Sequence, residues 1–100
     1  MSDQIFLVGT GSETIYACRL TKDGHLQSIY ENKSGKGPSW LVAHGDVLYA
    51  ANEQDDKIET FTIDDRNQGR LTSKNKISSK GSTPCSLAID SNGKWLAVAK

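Results

Sequence analysis

The chain repeats itself. Pro38-Ser39-Trp40-Leu41-Val42-Ala43 returns as Pro84-Cys85-Ser86-Leu87-Ala88-Ile89, 46 residues on. Val47-Leu48-Tyr49-Ala50-Ala51 returns as Trp95-Leu96-Ala97-Val98-Ala99 at an offset of 48, and Ile5-Phe6-Leu7-Val8 precedes the first of these by 42. Ile15 to Leu20 matches Ile58 to Ile63 at 43, and Leu26 matches Leu71 at 45. Repeats of this length are units that bury their apolar faces against one another, so the fold must be built by stacking.

Inside each unit the apolar residues come in short β-branched and aromatic runs bounded by Gly, Asn and Asp. No window of 11 or more residues keeps apolar residues at i, i+3, i+4 and i+7 without a break, so no helix is predicted. Nine strands are predicted, at residues 5–10, 14–20, 26–31, 39–43, 47–52, 57–63, 71–77, 85–90 and 95–99. Four strands per unit is the plan of a β-propeller blade. The expected fold is therefore all-β, with antiparallel four-stranded blades: a partial blade at 5–31, a complete one at 39–77 and a partial one at 85–99. A propeller closes only with about four to eight blades, so the 100 residues are expected to be the N-terminal part of one longer propeller domain. Phe6, Val8, Tyr16, Leu96 and Val98 are expected on outward faces that neighbouring blades cover. The rival reading is a self-contained small β-sandwich or barrel.

Charge removes several functions. Lys plus Arg is 12 and Asp plus Glu is 12, for a net charge of zero. A general nucleic-acid binder needs a basic surplus, and an anionic membrane surface would find no attraction here. The longest apolar runs, such as Ile5 to Val8, fall far short of the roughly 20 residues of a spanning helix. Met1-Ser2-Asp3-Gln4 lacks the charged and apolar regions of a secretory signal, so a cytoplasmic location is expected. Cys18 and Cys85 match no zinc or redox spacing and are expected as reduced, semi-buried thiols. No metal and no cofactor is expected.

Antiparallel order sorts the loops onto two faces. The first face carries residues 10–13, 33–38, 52–56 and 78–84; the second carries 23–25, 44–46, 64–70 and 91–93. His25 and His44 fall in second-face turns with no partner for metal binding or general-base work. The first face gathers Ser39, Lys36, Glu53 and Lys80. Glu53 ends a strand, where a carboxylate at a channel mouth can take a proton, orient water or accept bonds from sugar hydroxyls. An exposed acidic loop is the competing reading, since Asp55 and Asp56 follow. Lys36 and Lys80 sit at equivalent places ahead of Pro38 and Pro84 and can draw an anion toward the axis; solvated lysines are the simpler alternative. Gly35-Lys36-Gly37-Pro38-Ser39 lacks the spacing of a phosphate loop. The strand aromatics, Trp40 and Trp95 among them, are expected to pack between blades.

With this register the sequence resembles the seven-bladed propeller lactonase family, the 6-phosphogluconolactonases of propeller type and their fungal and bacterial relatives. The resemblance rests on Ile5 to Thr10, on Thr14 through Leu26, on Gly37-Pro38-Ser39-Trp40-Leu41 followed by Leu48 to Glu53, and on Ser82 through Ala99. Lys100, where the family commonly has Asn, and the short turn His44-Gly45-Asp46 depart from its pattern. The resemblance implies about two and a quarter of seven blades and a hydrolase of a sugar lactone such as 6-phosphogluconolactone, in carbohydrate metabolism. It makes Glu53 the candidate catalytic residue; the first-face residues Ser39, Lys36 and Lys80 are then the candidates for substrate binding. Its His and Arg residues belong to later blades, so these 100 residues are expected to be inactive without the rest of their own chain. The alternative is a non-catalytic propeller that binds proteins or sugars.

Overall fold

The computed structural model of the chain describes residues 4–99. Its nine strands are β1 (Gln4–Val8), β2 (Thr14–Leu20), β3 (Leu26–Lys33), β4 (Pro38–His44), β5 (Val47–Asn52), β6 (Lys57–Asp65), β7 (Arg70–Ser78), β8 (Ser86–Ile89) and β9 (Leu96–Ala99). They form three sheets of consecutive strands, β1-β2-β3, β4-β5-β6-β7 and β8-β9, antiparallel throughout. This is a partial β-propeller with strands grouped three, four and two, as the repeat requires. No helix occurs among the described residues, and none is long and apolar enough to cross a membrane.

The pleat explains the stacking. Successive side chains point to opposite faces of a sheet. In the four-stranded sheet Leu41, Leu48, Ala50, Phe61, Ile63 and Leu71 all meet the first sheet, where Leu7 and Ile15 receive them. One residue along each strand, the other face presents Val42, Tyr49, Ala51 and Ile58 to Leu87, Leu96 and Val98 of the third sheet. Slipping any of these strands by one residue would exchange the two faces, so the apolar pattern fixes the register. Phe61, 1% exposed, is the largest fully buried side chain; its burial contributes roughly 1.5–3 kcal/mol.

Two contacts between sheets depend on particular side chains. Asn32 is 4% exposed. Its Nδ2 donates to the carbonyls of Gly69 at 2.8 Å and Ile15 at 3.3 Å, and its Oδ1 accepts from the Leu71 amide at 2.9 Å. One side-chain amide thus imitates a ladder pair between the outer strands β3 and β7. Gly9 follows β1, where a Cβ would stand 2.0 Å from the Pro38 carbonyl oxygen. Thr10 then closes the turn, its Oγ1 donating to Thr14 O and accepting from the Ser12 amide. The Gly-Thr dipeptide therefore serves close approach first and turn closure second.

Several expectations are corrected. Leu96 and Val98 do not face outward. Val98 pairs with Leu87, so both lie on the pleat turned toward the four-stranded sheet, and the exposed residues of the other pleat are Ala88, Ala97 and Ala99. Phe6 and Val8 do remain exposed, while Tyr16 is half-buried. Trp95 packs between no sheets; it is 77% exposed. It stands ahead of β9 in a turn where Asp90 Oδ1 accepts the amides of Lys94 and Trp95, and so falls outside the strand pleat. Trp40 does bridge sheets, donating its indole N–H to Leu87 O at 2.9 Å. Both cysteines are free; Cys18 is buried, but Cys85 is exposed because it precedes β8.

Candidate functional site

The loops sort onto two faces as antiparallel order demands, and the first face is tied together mainly by backbone. Gly37 N donates to Ser12 O at 2.8 Å, and Ser34 N to Glu13 O at 3.0 Å, joining the β3–β4 connection to the β1–β2 side of the first sheet. Gln54 N bonds Lys36 O, and Gln54 Nε2 bonds Gly11 O. Gly37 has φ +71°, the left-handed region that glycine enters without a Cβ penalty. That turn aims its carbonyl to accept from Ser39 N at 2.7 Å and from Glu53 N at 2.8 Å.

Ser39 and Glu53 are brought together. Pro38 pairs with Asn52 and Trp40 with Ala51, which leaves Ser39 as the extra residue of a bulge. A bulge re-aims a side chain. Here Ser39 leaves the inter-sheet packing and its Oγ donates to Glu53 Oε1 at 2.8 Å. Ser39 is exposed and Glu53 half-buried, so the pair faces solvent from a fixed backbone. Lys36 rides the same connection. Its amide is held by Asp55 Oδ2 at 3.1 Å, and its side chain is exposed.

Lys80 lies on the next connection, between β7 and β8. It is left-handed at φ +63°, and its amide donates to Ser78 Oγ. Two further non-glycine residues of this region are left-handed, Asp56 at +55° and Thr83 at +55°. Asp56 joins them: its carbonyl accepts from the Ser79 amide and hydroxyl, and its Oδ1 accepts from the Thr83 amide at 2.8 Å.

Beneath the Ser39–Glu53 pair lies a group that the sequence reading passed over. Glu59 is 1% exposed. Its Oε1 accepts from Gly35 N at 2.8 Å and Asn52 Nδ2 at 2.9 Å, and its Oε2 from Ser73 Oγ at 2.6 Å. Alternation held the signal, because Glu59 shares a pleat with the inward Phe61 and Ile63.

The second face has charged and imidazole side chains that pair in solvent. Arg66 Nη2 reaches Gly45 O and Asp46 Oδ1, His44 Nε2 lies 3.1 Å from Ser91 O, and His25 pairs with Asp23. Hydrogen bonds from Thr21 and then from its own backbone hold the Asp23 carboxyl below the ordinary carboxylate value. Among the described residues no group of three His, Cys, Asp or Glu could hold a metal ion. A cleft of about 330 Å³ opens between β1 and the four-stranded sheet, lined by Ile5, Leu7, Leu41 and Leu48 with Arg66 at its side. It includes neither Ser39 nor Glu53.

The arrangement can hold a carboxylate and a hydroxyl at fixed separation on an open face. Known proteins give this a context. The chain resembles a candidate 6-phosphogluconolactonase from Bacteroides fragilis NCTC 9343, 28% identical, with a TM-score of 0.82 over 98% of this chain and 29% of that one. A candidate 6-phosphogluconolactonase from Bacteroides uniformis ATCC 8492 is 26% identical, with a TM-score of 0.82 over 98% and 30%. A protein of unknown function from Desulfotomaculum acetoxidans DSM 771 shares the fold at 18% identity, with a TM-score of 0.73 over 90% and 29%. The chain thus spans less than a third of the length of these structures. No curated protein matches it. The family model described as lactonase, 7-bladed β-propeller, matches residues 5–100, and the chain belongs to that family.

Proposed function

We propose that these residues are the N-terminal part of a propeller that hydrolyses a sugar lactone such as 6-phosphogluconolactone, in the carbohydrate metabolism of the cytoplasm. One observation carries the reading: in a chain of the lactonase family, a bulge turns Ser39 out to donate to Glu53 on an open face. Glu53 is the base. It takes a proton from water as the water oxygen attacks the lactone carbonyl carbon. The tetrahedral oxyanion forms, the ring C–O bond breaks, and the departing ring oxygen takes the proton that Glu53 holds, giving the open hydroxy acid. Ser39 orients the carboxylate and offers its oxygen to a substrate hydroxyl. Lys36 and Lys80 favour an anionic substrate.

The remaining blades come from the same chain in this proposal. They supply the strand that pairs with the free edge of β1 beside the 330 Å³ cleft, and the further groups that stabilise the oxyanion. The test is turnover of 6-phosphogluconolactone by the protein expressed from a reading frame extended past Lys100. Glu53→Gln should lower kcat by about a hundredfold, within the range for a lost general base. Undiminished turnover in that variant removes Glu53 from the mechanism. A wild-type protein that binds sugars or proteins without turning over any lactone makes the propeller a scaffold.

A further inference from the structure

We propose that Glu59 is the positioning residue of the Ser39–Glu53 pair, acting through its single oxygen Oε1; this rests on the lactonase reading for its catalytic consequence but not for its geometry. The two partners come from different segments, the start of β4 with the connection that leads into it, and the residue that follows β5. Each segment is anchored on the same atom. Gly35, four residues before Ser39, gives its amide to Glu59 Oε1, and Asn52, the residue before Glu53, gives its side-chain amide to that oxygen as well.

Three observations separate this from ordinary packing. Glu59 lies on the apolar pleat beside Phe61, where a leucine would pack without the desolvation that a buried carboxylate suffers. The Asn52 side chain is oriented by Glu59 alone: its Nδ2 points at Oε1 while its own Oδ1 is buried without a partner. A buried orphan acceptor is costly, and the opposite amide orientation would set Oδ1 against a carboxylate oxygen. Gly35 completes the clamp, since a Cβ there would stand 2.5 Å from both Asn52 Nδ2 and Asp55 Oδ2. Lys36 N is taken by Asp55, so consecutive amides of the connection end on two carboxylates. Ser73 meets the other oxygen, Oε2, and belongs to β7, away from the pair.

The assignment makes distinct demands on four variants of the complete protein. Glu59→Leu should break the Ser39–Glu53 hydrogen bond in a crystal structure, release the Gly35 amide to hydrogen exchange, and lower kcat by about a hundredfold with little change in KM, as a misplaced group does. Glu59→Gln keeps an acceptor at Oε1 and should recover most of the loss. Ser73→Ala touches only Oε2 and should keep wild-type turnover. Gly35→Ala blocks the same approach from the other side and should reproduce Glu59→Leu, which covers the case in which the leucine variant does not fold. A Glu59→Leu or Gly35→Ala protein that retains the Ser39–Glu53 bond and its turnover overturns the proposal. If the wild-type protein turns over no lactone, the functional reading fails, and the bond and the Gly35 exchange rate still decide the role of Glu59.

Discussion

The residues before Pro38 and Pro84 occupy one backbone conformation in two repeats, and only one of them is suited to it. Gly37 has φ +71°; Thr83, its counterpart, has φ +55°. A left-handed conformation costs an L-residue about 1–2 kcal/mol, and a β-branched side chain belongs at the upper end. Replacing Thr83 by glycine removes that cost. It also raises the entropy of the unfolded chain, which returns about 0.5–1 kcal/mol. Thr83 is exposed, and its bond to Asp56 Oδ1 is made by its amide, which glycine retains. Thr83→Gly should therefore stabilise the protein by about 1–1.5 kcal/mol, raising the urea midpoint by about 0.4–0.6 M at an unchanged slope of about 2.5 kcal/mol/M. Thr83→Asn should show a smaller gain, because asparagine tolerates the same region. Gly37→Thr should show the reverse and more, since a Cβ there meets Gln54 Cγ at 3.2 Å. Chemical denaturation of the three variants tests the reasoning. A midpoint lowered by Thr83→Gly, or a neutral Gly37→Thr, refutes it.

Asn32→Ala strands the half-buried Leu71 amide and the buried Gly69 carbonyl and should cost about 2–3 kcal/mol in the same denaturation assay; a loss near zero would mean that water replaces the side chain. Gly9→Ala drives a methyl group to 2.0 Å from Pro38 O and should lower the thermal midpoint severely, whereas Gly11→Ala meets nothing within 4 Å and should leave it almost unchanged. The Asp64 carboxyl is held below its ordinary value of 3.8 by hydrogen bonds from Thr72 first and Thr62 second, with Lys74 and Arg70 nearby. Its contribution to stability is therefore present above pH 3.8 and is lost as pH falls through the lowered folded value; carboxyl NMR should show a titration midpoint that rises in Thr72→Val.

The strands were legible because the fold is written at period two. Alternation along Leu48, Ala50 and Phe61 gives the pleat, and an offset of 42 to 48 gives the blade. The face of the third sheet was not legible by composition. Trp95-Leu96-Ala97-Val98-Ala99 is apolar at every position, so both pleats look inward until Leu87 pairs with Val98. Ser39 and Glu53 could be placed on one face from strand order alone, but their hydrogen bond depends on a bulge at Ser39 that no residue type announces. Glu59 was missed because a carboxylate in a strand normally marks the solvent side. Its buried role follows only from donors at Gly35 and Asn52, 24 and 7 residues upstream, and at Ser73, 14 downstream.

The two faces differ in what holds them, and the difference bears on where chemistry can sit. The second face has a main-chain bond of its own, Ile63 N to Asp46 O, and the buried Asn32–Gly69 bond, but its charged side chains pair in solvent: Arg66 and Asp46, for instance, are 63% and 79% exposed. Such pairs contribute about 0–1 kcal/mol and rearrange readily. On the first face, Gly37 N to Ser12 O, Ser34 N to Glu13 O and Glu53 N to Gly37 O are main-chain bonds that cross loops. A reacting group must be held within a fraction of an ångström of its productive position, since about 1 Å of misplacement costs on the order of a hundredfold. The first face gives Ser39 and Glu53 anchoring of this kind, with Glu59 beneath them. The two histidines, although chemically apt for acid–base work, stand exposed on the other face, away from this pair.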